Sequence, residues 1–172
     1  MKFYSGFSLS NDRQLFEAFV KVSEFTVAGF SYGAIKAFEE VLESSKRVDT
    51  LQLFSPAFFQ DKSDKFKRTQ KMYFAKDKKA YLDNFLPSCF LPCKIDKEVE
   101  LKEGSLEELE TLLDYVWDRD NLQTLKDRGV KIEVYLGKED KIINALKAKE
   151  FFLPFATTYM INGAGHTLSV PT

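Results

Sequence analysis

Short apolar segments alternate along the chain with amphipathic segments of helical periodicity, and this alternation constrains the fold more than any other feature. The apolar segments have the length and flanking turn residues of buried strands. They cover residues 2–4, 25–28, 50–54, 131–136 and 157–161. Because helical patterns separate them, we predict an α/β domain with a parallel sheet of about five strands. The 172 residues are enough for a single domain, 1–172.

Residues 56–130 interrupt the alternation, and we predict that they form a mainly helical cap insertion without a convincing strand. Ser105 and Glu108 form a capping-box pattern ahead of an apolar stripe at helical spacing. Residues 62–79 carry eight lysine or arginine residues against two aspartates. Further helices are predicted from residue 11, from residue 34, at 119–128 and at 141–150.

The order of the segments raises a packing problem for one face of the sheet. If the chain winds in one direction, right-handed crossovers place every connecting helix on the same face. Parallel sheets are nearly always covered on both faces. We therefore expect the opposite face to be covered by residues 56–130, by the chain ends or by a partner subunit.

The loops that follow the strands carry the residues whose side chains are suited to catalysis. Gly29-Phe30-Ser31-Tyr32-Gly33 matches G-x-S-x-G between a strand and a helix, which is the pattern of a nucleophile elbow. A serine hydroxyl needs an adjacent base, and His166 is the only histidine in the chain. An acid should orient that imidazole; we prefer Asp140, with Glu139 as the alternative. Asp140 is also a candidate N-cap for the helix that follows.

Two backbone N–H groups are candidates for stabilising an oxyanion. One is that of Tyr32, which follows the serine, as in other nucleophile elbows. The second should come from the loop after the first strand, where Phe7 follows Gly6. A plain turn at residues 5–7 is the alternative.

Composition excludes several other classes of protein. One histidine excludes a multi-histidine metal site, and Cys89 and Cys93 lack the spacing and the second pair of a zinc site. We therefore predict no metal and no cofactor, and two free thiols of a cytoplasmic protein. Near balance between 25 basic and 26 acidic residues argues against a nucleic-acid binder. The first residues lack a signal-peptide core, and no apolar run is long enough for a membrane span.

Several segments resemble the BioV family of pimeloyl-acyl-carrier-protein methyl ester esterases, small α/β-hydrolases of biotin synthesis. They are FYSGF, VAGFSYGAIKA, LFSP, YLDNF, EGSLEELE followed by LLDY, and GVKIEVYLG followed by Asp140, with AGH at residues 164–166. The resemblance implies a reduced α/β-hydrolase fold. It also implies hydrolysis of the methyl ester of the carrier-bound pimeloyl chain, with Ser31, His166 and Asp140 as the triad.

The same resemblance implies an acidic acyl-carrier protein as partner. The basic block at residues 62–79 is where such a partner could dock. The best candidates are Lys65, Lys67, Arg68 and Lys71. The alternative for this block is a solvated helix face with internal lysine–aspartate pairs.

Two other functions stay open at this point. The triad does not separate an ester from a thioester, so a thioesterase or a general short-chain carboxylesterase is the nearest alternative. A catalytically inactive hydrolase fold that binds a carrier protein is the alternative outside enzymes.

Overall fold

The computed structural model describes residues 1–95 and 99–171. Within those ranges the strands are β1 (Lys2–Tyr4), β2 (Leu9–Ser10), β3 (Thr26–Phe30), β4 (Thr50–Phe54), β5 (Glu100–Leu101), β6 (Lys131–Gly137) and β7 (Thr157–Ile161). The helices are a 3-10 helix (Asp12–Phe16), α1 (Tyr32–Glu43), α2 (Asp64–Lys76), α3 (Lys78–Phe90), α4 (Leu106–Asp114), α5 (Arg119–Asp127) and α6 (Ala145–Phe152).

The main sheet contains five parallel strands in the order β1-β3-β4-β6-β7. This confirms the predicted α/β architecture. All five residues of β3 and all five of β4 are buried, which explains why these strands are apolar on both faces. The carboxyl ends of β1, β3, β6 and β7 lead into the four loops that carry the candidate site residues.

The first face of the sheet, which includes Val27, Leu51 and Val134, packs against helices. Ile35 and Phe38 of α1 belong to the same apolar cluster. Buried residues of α4, α5 and α6 extend that cluster, so the main core lies on this side of the sheet.

The second face, which includes Ala28, Phe30 and Phe54, is covered by the short 3-10 helix, the end of α3 and the C-terminal region. Phe16 stacks on Phe54 with ring centroids 4.7 Å apart and lies 4.8 Å from the ring of Phe30. Leu86, Cys89 and Phe90 near the end of α3 complete the cover together with Leu168. Part of the cover therefore comes from residues 56–130 and part from the C-terminal region.

The expectation that every crossover lies on one face is wrong for the first connection. The steps β1 to β3 and β3 to β4 go in the same direction across the sheet. Phe16 in the first connection packs on the second face, whereas α1 in the next connection packs on the first face. The two connections therefore have opposite hands.

The helix predicted from residue 11 is also shorter than expected. It is a 3-10 helix of five residues, and Asn11 ahead of it makes no side-chain cap. Beyond it, Gln52 of β4 accepts a hydrogen bond from the Lys21 N–H at 2.8 Å and donates one to the Phe19 carbonyl at 3.0 Å. These hydrogen bonds hold residues 19–21 against the sheet. The apolar residues of this segment therefore reach the core without a longer helix.

Residues 56–130 contain four of the helices, α2 to α5, and one short strand that the sequence did not predict. Glu100–Leu101 pairs antiparallel with Leu9–Ser10. This two-stranded ribbon connects the insertion to the chain just after β1. The pairing depends on distant segments, which explains why no local pattern indicated it.

The aromatic cover of the second face is open to a direct test. Replacing Phe16 by Ala should lower the free energy of unfolding by about 3–5 kcal/mol, because the ring is fully buried between other aromatic rings. Val22→Ala is the control and should change it by less than about 0.5 kcal/mol, since Val22 is 76% exposed. Urea denaturation measures both; equal values for the two variants would contradict this packing.

Candidate active site

Ser31 occupies a sharp turn between β3 and α1. Its backbone has φ 52° and ψ −112°, which is unusual for a residue with a side chain. The turn brings the end of the strand against the start of the helix. A Cβ on Gly29 would lie 2.1 Å from the carbonyl oxygen of Gly33, so only glycine fits at position 29. The G-x-S-x-G pattern is therefore explained by backbone contact at a strained turn.

Gly33 has a second role, because the loop after β1 lies directly against it. A Cβ on Gly33 would be 2.1 Å from the carbonyl oxygen of Tyr4 and 2.5 Å from that of Ser5. The absence of a side chain at position 33 lets the first loop (residues 5–8) approach the elbow. The elbow and the first loop thus form one packed unit.

Three side chains from three different loops form a hydrogen-bonded chain. Nε2 of His166 lies 3.0 Å from Oγ of Ser31, and Nδ1 lies 2.7 Å from Oδ2 of Asp140. The side chains of His166 and Asp140 are almost fully buried. Ser31 is 6% exposed. This geometry allows an imidazole to accept the serine proton while a carboxylate holds the ring.

Asp140, rather than the adjacent Glu139, contacts the histidine. Glu139 is exposed, and its backbone N–H bonds to the Ala164 carbonyl at 2.8 Å. The second oxygen of Asp140 accepts hydrogen bonds from the backbone N–H groups of Ile142 and Ile143 at 2.7 and 3.0 Å. Both carboxylate oxygens are therefore fixed.

The helix after Asp140 starts later than predicted. The prediction placed it at 141–150, whereas α6 starts at Ala145, and Asn144 is its N-cap through a bond to the Lys147 N–H at 3.1 Å. Asp140 is thus not the cap of that helix. It closes a turn that precedes the helix, because the carboxylate must stay near His166.

The two candidate oxyanion donors are placed by the elbow and the first loop. Tyr32 is the first residue of α1, where backbone N–H groups have no partner inside the helix. Within the described ranges, neither the N–H of Phe7 nor that of Tyr32 donates a backbone hydrogen bond. One N–H on the residue after the serine and one on the loop packed against the elbow fit the requirement for stabilising an oxyanion.

A cavity of about 650 Å³ lies between α2, α3 and α4. Its apolar lining consists mainly of Phe59, Phe66, Tyr81, Phe85, Leu109, Leu112 and Leu113. Ile142 also lines it, and the Ile142 N–H is one of the two that donate to Asp140. Phe85 contacts Phe7 with ring centroids 5.9 Å apart, so the cavity lies beside both the acid loop and the first loop. Ser31 and His166 are not part of its lining.

The four lysine and arginine residues predicted to dock a partner all lie on α2, and they differ in their surroundings. Lys71 is paired with Asp114 of α4 at 2.5 Å. Lys65 and Arg68 are exposed and Lys67 is half-buried, and none of the three has an ion pair within residues 1–95 and 99–171. Lys71 is therefore engaged inside the insertion, and the other three remain available.

Cys89 does not compete with Ser31 as a nucleophile. Both thiols are free. Burial, and to a lesser extent the charge of Asp140, raise the pKa of the Cys89 thiol, which keeps it protonated and weakly reactive. In the part of the chain that the structure describes, no three His, Cys, Asp or Glu residues are grouped to hold a metal ion. No helix there is long and apolar enough to cross a membrane.

Sequence reasoning missed Asp12, which is fully buried beside the first loop. Its Oδ2 accepts a hydrogen bond from the Gly6 N–H at 2.8 Å. The residue appears in the sequence only as part of a predicted helix start, and no local pattern separates it from an exposed aspartate.

Comparison with solved structures identifies the fold. A carboxylesterase from the thaumarchaeon Nitrososphaera gargenis matches 90% of this chain with 20% sequence identity and a TM-score of 0.56. An esterase from Exiguobacterium antarcticum matches 82% with 16% identity and a TM-score of 0.60. E-2-(acetamidomethylene)succinate hydrolase matches 96% with 13% identity and a TM-score of 0.58. The chain therefore has the α/β-hydrolase fold.

The similarity extends over only part of the larger relatives. The chain spans 61% of the Nitrososphaera enzyme and 59% of the Exiguobacterium enzyme, although it spans 84% of the succinate hydrolase. Neither a protein-family model nor a curated protein matches the chain.

The strain at Ser31 predicts an unusual order of stability between two variants. Glycine normally destabilises a folded backbone relative to alanine, by about 0.5–1 kcal/mol. At position 31 it should instead be more stable than alanine by about 1 kcal/mol, because it releases strain of about 1–3 kcal/mol. Thermal and urea unfolding of Ser31→Gly and Ser31→Ala measure the difference. An alanine variant at least as stable as the glycine variant would show that the turn is not strained.

Proposed function

We propose that the protein is a serine carboxylesterase. The observation that carries the proposal is the chain of hydrogen bonds Ser31–His166–Asp140 at the carboxyl edge of the sheet. Its order along the sequence, nucleophile then acid then histidine, is that of α/β-hydrolases. The carboxylesterases among the solved structures with the same fold support this class of reaction.

The mechanism follows from the geometry. Oγ of Ser31 attacks the ester carbonyl carbon while Nε2 of His166 accepts its proton. The developing oxyanion accepts hydrogen bonds from the N–H groups of Tyr32 and Phe7. The alcohol leaves with the proton from His166, and water then hydrolyses the acyl-enzyme by the same route. Asp140 keeps the imidazole oriented and stabilises its protonated form.

For the substrate, we propose the methyl ester of the pimeloyl chain on an acyl-carrier protein, with pimeloyl-acyl-carrier protein and methanol as products. The resemblance to the BioV family supports this choice. The apolar cavity beside the acid loop and the first loop has the chemistry to hold a methylene chain. The reaction requires no metal or cofactor. The free thiols fit a reducing compartment such as the cytoplasm.

The acidic carrier protein is proposed to dock on α2. Lys65, Arg68, Met72 and Lys76 are spaced so that they follow one face of this helix, and all four are exposed. Lys76 also lines the cavity. A carrier bound along this face would stand beside the cavity that is proposed to receive its acyl chain. The electrostatic attraction of such a surface should act mainly on the rate of association, because it steers the diffusing carrier toward α2.

The first test of this function is methanol release from pimeloyl methyl ester on its carrier. Ser31→Ala should reduce turnover to background, because no other nucleophile replaces the hydroxyl, and a fluorophosphonate should label the native protein but not this variant. A thioesterase would release the free carrier thiol instead of methanol. Full methanol release by Ser31→Ala would refute the proposed function.

The docking surface predicts a selective effect of charge reversal. Lys65→Glu combined with Arg68→Glu should lower kcat/KM for the carrier-bound ester about 10-fold or more at low salt, and added salt should reduce this difference. Activity on a small free ester such as p-nitrophenyl butyrate should stay unchanged.

Arg13→Glu combined with Lys46→Glu is the matched control, since it makes the same charge change on exposed residues outside α2. Equal kcat/KM values for the two double variants on the carrier-bound ester would exclude docking at this face.

A further inference from the structure

The carboxylate of Asp12 is buried, and among the described residues it has no cation partner and makes one hydrogen bond. The residue has no exposed surface, and its Oδ2 accepts from the Gly6 N–H at 2.8 Å. Its Oδ1 has no hydrogen-bond partner within residues 1–95 and 99–171. An aspartate in such surroundings opposes folding, because its desolvation is only partly compensated. We therefore look for the role of Asp12 in its hydrogen bond with the Gly6 N–H.

That contact fixes the Ser5–Gly6 peptide group, which adjoins the Gly6–Phe7 peptide group at the α-carbon of Gly6. The Gly6 N–H is tied to Asp12, and the Gly6 carbonyl accepts a hydrogen bond from the Leu9 N–H at 3.2 Å. A trans peptide group is planar, with its C=O and N–H pointing in opposite directions. The Phe7 N–H must therefore point away from Leu9, and it donates no backbone hydrogen bond among the described residues.

Gly6 also lies against the side chains that pack around the triad. A Cβ on Gly6 would lie 2.7 Å from the Phe30 ring and 3.5 Å from Oδ2 of Asp12. The ring of Phe30 in turn lies 5.1 Å from the ring of His166. Gly6 is thus held between the Asp12 carboxylate and a ring that also contacts the catalytic histidine. Any shift of the carboxylate would change the distance from the first loop to the triad.

The backbone around this contact is not in a relaxed conformation. Ser8 and Asn11 have φ values of 59° and 57°, although neither is glycine. Non-glycine residues in this region persist when surrounding contacts determine their conformation. Asp12 supplies such a contact from the start of the 3-10 helix. The backbone bond from the Lys102 N–H to the Ser8 carbonyl, at 3.0 Å, supplies another from the insertion.

We propose that Asp12 is a positioning residue for the oxyanion hole: by holding the Ser5–Gly6 peptide it fixes Gly6, and the Gly6–Phe7 peptide that follows then presents the Phe7 N–H. This inference rests on the proposed esterase function. Asp12 does not touch the substrate or the reacting atoms. Its effect should appear in the transition state, where negative charge develops, and not in substrate binding.

Two variants with the same number of side-chain heavy atoms and the same branching as aspartate separate the hydrogen bond from the packing. Asp12→Asn keeps an acceptor oxygen for the Gly6 N–H and removes the buried charge. Asp12→Leu has nearly the same shape, removes the acceptor and suits a buried site. Arg13→Ala is the control on the same 3-10 helix, at an exposed side chain. Asp12→Ala, which also lacks an acceptor, takes the place of Asp12→Leu if the leucine variant does not fold.

The measurements are kcat and KM for p-nitrophenyl butyrate, inhibition by an alkyl trifluoromethyl ketone, and the melting temperature. The ketone adds to a serine hydroxyl and places an oxyanion in the hole. Asp12→Leu should lower kcat about 10- to 100-fold with KM within about 3-fold, since small misplacement of a catalytic group has effects of this size. It should weaken ketone binding by a similar factor and melt no lower than the native protein. Asp12→Asn and Arg13→Ala should keep kcat within about 5-fold.

Two results would overturn the inference. One is a folded Asp12→Leu variant with native kcat and native ketone affinity. The other is an Asp12→Asn variant that loses as much activity as Asp12→Leu, because the acceptor would then not be what matters. A native protein without activity on p-nitrophenyl butyrate and on the carrier-bound methyl ester would instead refute the esterase proposal itself. The two failures are therefore distinguishable.

Discussion

The close contact of backbone with backbone at the elbow is the constraint on which the site depends. Gly29 and Gly33 touch across the turn at Ser31, and Gly33 also receives the carbonyl groups of the first loop. These contacts aim the serine out of the sheet and bring the candidate oxyanion donors beside it. A side chain at either glycine would separate the strand, the helix and the first loop, and the three could no longer form one site.

The connection between β1 and β3 serves the fold and the site together. Phe16 covers the second face of the sheet, and Asp12, four residues earlier, holds the first loop. In a chain that spans about three fifths of the length of the compared esterases, one short segment thus both covers the sheet and contacts the first loop.

Residues 56–130 line most of the apolar cavity beside the loops of the triad. The helices of this insertion enclose the apolar cavity, and the ribbon between β2 and β5 connects them to the loop that carries Phe7. The exposed cations of α2 lie on the same insertion. Substrate choice under the proposed function is therefore a property of residues 56–130, whereas the reaction chemistry belongs to the loops of the sheet.

The sequence by itself determined the strands, the elbow and the identity of the interacting histidine, because hydrophobic periodicity and glycine spacing are local and the chain has one imidazole. It left Asp140 and Glu139 as alternatives for the acid that orients His166. The tertiary structure places only Asp140 in hydrogen-bond contact with the histidine. The short helix after Asn11, the hand of the first connection, the ribbon at Glu100–Leu101 and the buried Asp12 came from the tertiary structure alone. Each depends on contacts between segments far apart in the chain, and local patterns do not encode such contacts.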